Sequence, residues 1–148
     1  MSVSRKLLCL VYALIALATL VGTWGNNVQL MGPGLSFLDA NWLFWQQTLV
    51  NPASRSITVD ILGIALAAIV WMFLEARRLS IPYIWLYLFA SIFIAVGAAF
   101  PLFLLHRERV LARRDRGEHA AELSKPALAG LALVLLGLPV YLYFALSA

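Results

Sequence analysis

The chain has 148 residues, 63% hydrophobic and 12% charged, against about 45–50% and about 25% in soluble domains, which excludes a soluble globular domain and points to an all-α polytopic membrane bundle. A net charge of +4 with a pI near 9.6 would suit nucleic acid, but most basic residues flank apolar runs where anionic headgroups lie, so no nucleic-acid partner is expected. Cys9 is the only cysteine, which excludes an intrachain disulfide, a CxxC redox pair and an all-cysteine metal site within one chain.

Four apolar segments, at about 7–23, 53–76, 82–105 and 126–146, have membrane-crossing length and together form a single membrane domain. Arg5 and Lys6 precede the first. Gly22, Thr23 and Trp24 make a poor cleavage site, so this segment reads as a transmembrane helix with Trp24 as its interfacial anchor, not as a signal peptide. Gly32, Pro33 and Gly34 then forbid helix. Ser36 can cap a short helix over about 36–49, whose Leu38, Trp42, Trp45 and Leu49 form one apolar stripe suited to lying in the membrane interface. The alternative role for its two tryptophans is a lid over a flat hydrophobic ligand.

Asn51 and Pro52 are favoured N-cap and first-turn residues, and they predict a helix running to Arg78. At 100° per residue, with Asp60 at zero, Ala67 falls at about −20°, Trp71 at about 20°, Gly63 at about −60°, Glu75 at about 60° and Arg78 at zero. Leu62, Leu66, Ile69 and Phe73 lie opposite. An ionised aspartate at the bilayer centre costs about 2.5–3.5 kcal/mol, so Asp60 is expected to face protein or water. Gly63 and Ala67 allow a neighbouring helix to come close.

A short turn leads into the third segment, which predicts an antiparallel hairpin with Asp60 level with Pro101 and Glu75 near Tyr83 and Trp85. The small face of Ser91, Ala95, Ala98, Leu102 and His106 is the expected partner of Asp60. Pro101 frees the carbonyl of Gly97, so a kink or another donor for that carbonyl is expected. The run at 106–125 reads as a solvated loop of mixed charge. With four crossings, Arg5, Lys6, Arg77 and Arg78 share one side. Arg55, the arginines from Arg107 to Arg116 and Lys125 share the other, which favours both termini outside the cytoplasm.

Asp60 with His106 or Arg107 is the candidate intramembrane acid/base site, the alternative being a structural pair that sets helix register. His106 and His119 are the only histidines, which argues against bis-histidine haem. No Walker loop, HExxH or GxSxG occurs, and no metal or cofactor is expected. Trp42, Trp45, Asp60 and Trp71 are the candidate lining of a pocket for a prenyl-type or other lipophilic ligand. Asn51, Pro52, Gly63, Ala67, Glu75, Arg78 and Pro101 are read as structural.

NPxSxxxxxD at 51–60, FLEARRL at 73–79, WLY at 85–87 and FPLFLLHRER at 100–109 together resemble the DUF2834 family of uncharacterised bacterial membrane proteins. The resemblance covers about 7–110, and the fourth segment departs from the shorter three-span form. It implies a location in the bacterial cell membrane and carries no activity. The expected function is a non-catalytic scaffold or accessory subunit, with membrane lipids and other membrane subunits or a second copy as partners. The alternative is a small membrane enzyme or binder acting on a lipophilic ligand.

Overall fold

The computed structural model describes residues 3–32 and 34–114, together with single helical positions between Pro126 and Leu146. The rest of the charged run beyond Arg114, His119 included, and most of the fourth apolar segment lie outside the described residues. Helix α1 (Val3–Asn27) continues into a 3-10 turn (Val28–Leu30), followed by α2 (Phe37–Gln47) and α3 (Pro52–Leu79). Helix α4 (Ile84–Ala90) runs through a π-helical segment (Ser91–Ala95) into α5 (Val96–Arg114). Among the described residues there is no strand. Three helical stretches, Val3–Leu30, Pro52–Leu79 and Ile84–Arg114, are long and apolar enough to cross a membrane.

Local chemistry sets the helix starts. The Ser36 hydroxyl accepts the Asp39 amide at 3.2 Å while the Asp39 carboxylate accepts the Ser36 amide at 3.1 Å. This reciprocal cap opens α2, and the Ser36 bonds hold the Asp39 carboxyl below the ordinary carboxylate range. Asn51 and Ser54 make the same exchange at the start of α3, with Pro52 in the first turn. At the other end of α3, Ser80 adopts a left-handed conformation with φ 54°, and the Ile81 amide bonds back to the Ala76 carbonyl at 2.9 Å. That is a glycine-type helix stop occupied by serine. Ser80→Gly is therefore expected to raise stability by about 1 kcal/mol, seen as a higher thermal midpoint in detergent; a lower midpoint would contradict the assignment.

The third apolar segment does not run as a straight rod. A straight helix would separate Tyr87 and His106 by about 28 Å, yet the Tyr87 hydroxyl lies 3.0 Å from His106 Nδ1. The rings of Tyr87 and Phe103 are also only 5.6 Å apart. The chain therefore reverses between Tyr87 and Phe103. Helix α5 lies straight against α1, with Gly97 at Thr19, Leu105 at Cys9 and Glu108 at Arg5, so the reversal falls in or beside the π-helical segment Ser91–Ala95. Helix α5 is antiparallel to α1 and parallel to α3, and Arg114 donates to the Leu79 carbonyl at 2.7 Å.

This geometry corrects the expected hairpin. The Asp60 half of α3 does not meet the small face of the third segment: Asp60 and Ala67 are exposed, and among the described residues nothing lies within 4 Å of a Cβ built on Gly63. Close approach occurs at Gly97 instead, where a Cβ would stand 3.4 Å from Thr19 Cβ of α1. The carbonyl freed by Pro101 finds its donor there, the Thr19 hydroxyl at 2.7 Å. Residues 106–114 also continue the helix where a loop was expected. The core, built from Met72, Ala76, Leu79, Ile81, Leu88 and Phe103, sits toward one end, where α3, α4 and α5 converge.

Candidate functional site

At that end the helix geometry gathers charge. Glu75 projects from the last turns of α3 and is 7% exposed. Arg78, one turn on, grips it at 2.7 and 2.6 Å, and Arg107 of α5 donates to the same carboxylate at 2.7 Å. A second Arg107 nitrogen donates to Glu108 at 2.9 Å, and Arg5 of α1 stands 4.0 Å from the far Glu108 oxygen. The Arg107 guanidinium lies 5.8 Å from the centre of the Trp71 ring, close enough for cation–π attraction. Trp71 in turn packs edge-on against Phe100 and Phe103. The network joins α1, α3 and α5. Burying such charges is costly unless each is met by hydrogen bonds, and here the two carboxylates meet three arginines.

Beside this network His106 is tied to Tyr87, and Asp60 lies 15 residues before Glu75, about 22 Å along the helix axis. The structure does not bring Asp60 and His106 together. Among the described residues no group of three His, Cys, Asp or Glu side chains gathers as a metal site would require.

The opposite end holds a cleft of about 570 Å³ between the end of α1, the 3-10 turn, α2 and the first turns of α3. Its lining includes Asn26, Gln29, Phe44, Trp45, Thr58 and Ile61. Of the four residues expected to line one pocket, Trp45 is here, while Trp42 is 67% exposed on α2. Asp60 is not in the lining, and Trp71 belongs to the ionic end. Leu38, Trp42, Trp45 and Leu49 are all exposed, so no protein core covers the apolar stripe of α2.

Sequence reasoning singled out Glu75 and Arg78 but read Glu108 as part of a solvated loop and paired Arg107 with Asp60, not with Glu75. The signal that could have found them is the alternating HRER directly after an apolar run, together with a Glu75 that needs more than one arginine when buried.

An all-helical chain with membrane-length apolar helices and a buried ionic clamp is an integral membrane protein. The family profile "Protein of unknown function DUF2834" matches residues 11–109, and the chain belongs to that family. The match contains Glu75, Arg78, Arg107 and Glu108; Arg5 lies outside it. Comparison with curated proteins and with solved structures gives no match.

Proposed function

We propose that the protein is a non-catalytic scaffold or accessory subunit of a larger assembly in the bacterial cell membrane, docking through the first half of α3. The observation that carries this reading is the uncovered face of Asp60, Gly63 and Ala67. A carboxylate and two small residues share one side of an apolar helix, with no neighbour near Gly63 among the described residues. A partner helix that packs on the small residues and donates to Asp60 relieves the cost of holding that carboxylate in hydrocarbon. The partner is another membrane subunit or a second copy. Wild-type protein extracted in mild detergent is expected to run as an oligomer or with a bound partner in native mass spectrometry, and Gly63→Leu and Asp60→Leu to release a monomer. A wild-type monomer without partner would overturn the proposal.

The charged end carries Arg5, Lys6, Arg77, Arg78, Arg107, Arg109, Arg113 and Arg114, whereas the other end has only Arg55 among the described residues. The positive-inside rule places the charged end, and with it the amino terminus, in the cytoplasm. Four straight crossings lead to the opposite expectation.

The second reading, a binder of lipophilic ligands, is favoured by the far-end cleft with Trp45 in its wall.

A further inference from the structure

The far-end cleft is graded in polarity along α3. Ser54 and Thr58 line it near the start of the helix, and Ile61 and Leu62 line it further on, about 11 Å deeper toward the middle of the bundle. Asn26, Asn27, Gln29, Gln47 and Thr48 complete the polar end, and none of the described lining residues is charged. Arg55, next in sequence to Ser54, is turned to the Leu49 carbonyl at 3.1 Å and does not line the cleft.

The hydrogen bonds already made restrict what the polar end can offer. Thr58 donates its hydroxyl proton to the Ser54 carbonyl at 2.7 Å, Thr48 to Trp45 at 2.8 Å and Ser54 to Asn51 at 3.0 Å. The Asn26 and Gln29 amide nitrogens donate to Gly22 and Gly25 at 2.9 and 3.3 Å. A hydroxyl has one proton, so what Thr48 and Thr58 have left are oxygen lone pairs; Asn26 and Gln29 each keep a carbonyl oxygen and one amide N–H. The polar end therefore offers neutral acceptors and amide donors side by side. An anionic head would lose its hydration with no cation among the described lining residues to offset the loss. A hydroxyl group both donates and accepts, which matches this neutral set.

We propose that this cleft binds a neutral lipid whose head carries free hydroxyl groups, of the diacylglycerol or glycosyl-diacylglycerol class. The head sits among Asn26, Gln29, Thr48 and Thr58. The chain start runs along Ile61 and Leu62, and the acyl tails leave sideways into the bilayer. A volume of about 570 Å³ accommodates a head and the first part of a chain, and it falls within the ordinary range for small-ligand sites. The site uses Trp45 but neither Asp60 nor Trp71, and its occupancy is read separately from any association through α3.

The test is lipid retention in native mass spectrometry, with purified full-length protein exposed in parallel to dioleoylglycerol and to dioleoyl phosphatidate, which share their tails. Dioleoylglycerol is expected to be retained about tenfold better, the difference made by one or two hydrogen bonds. Thr58→Val keeps the shape and removes an acceptor, and should lower retention of dioleoylglycerol about three- to tenfold. Ile61→Trp, which fills the deep end, should abolish it without shifting the thermal midpoint. Equal retention of the two lipids, which marks annular lipid only, would overturn the proposal. So would a Thr58→Val protein that holds dioleoylglycerol as well as wild type.

Discussion

Replacing Arg107 with methionine is expected to destabilise the protein by about 3–5 kcal/mol, the cost of stranding buried charge. Arg107 is the one side chain that bonds to both buried carboxylates, Glu75 at 2.7 Å and Glu108 at 2.9 Å. Without it Glu75 keeps Arg78, whose side chain is 63% exposed, and Glu108 keeps Arg5 at 4.0 Å. Arg78→Met should cost less, about 1 kcal/mol, because Glu75 then keeps Arg107 at 2.7 Å and Glu108 keeps both its partners. The check is denaturant titration of both variants in mild detergent. The Glu75→Met/Arg107→Met double variant completes the comparison. If the pair is coupled as the structure shows, the double change costs less than the sum of the two single ones. Equal effects for Arg78→Met and Arg107→Met would show that position in the network does not matter.

Thr19→Val is expected to cost about 1–3 kcal/mol, the penalty for leaving a carbonyl of an apolar, membrane-length helix without a donor. Pro101 has no amide hydrogen for Gly97, and the Thr19 hydroxyl fills that place at 2.7 Å. The same hydroxyl lies near the Ile15 and Ala16 carbonyls at 2.7 and 3.2 Å. Those oxygens accept helical amides of α1 in any case, so the bond to Gly97 is the one without a substitute. Pro101→Ala restores the missing amide within α5. The Thr19→Val/Pro101→Ala protein should therefore unfold later than Thr19→Val alone, as read from thermal midpoints. If Pro101→Ala gives no rescue, the loss in Thr19→Val comes from packing against Gly97 and not from the orphaned carbonyl.

These two sites differ in how far they could be read from the sequence. The orphan carbonyl at Gly97 follows from proline chemistry four residues on, a local rule, and only the identity of its donor required the fold. The caps at Ser36 and Asn51 are equally local, and both form as their residue types require. The ionic network is different. Glu75 and Arg78 are one helical turn apart and legible together, but Arg107 joins them only because the chain turns back after α4. That reversal has no proline or glycine within Ser91–Ala95 to announce it. Helical periodicity assumes a straight axis, so the wheel that put Asp60 opposite the small face of the third segment failed through its register. The amphipathic character of α2 was legible from spacing, whereas the cleft it helps to wall depends on where the end of α1 meets α3.

The fold-back of α4 onto α5 also changes where the third apolar stretch ends. Hydropathy reads that stretch as one straight rod with its two ends far apart. In the folded chain Leu79 and Arg114 touch, so the stretch between them leaves and returns at the same end of the described bundle. Its turning point carries Ile92, Phe93 and Ile94, all exposed and apolar, which suits a tip that stays in hydrocarbon.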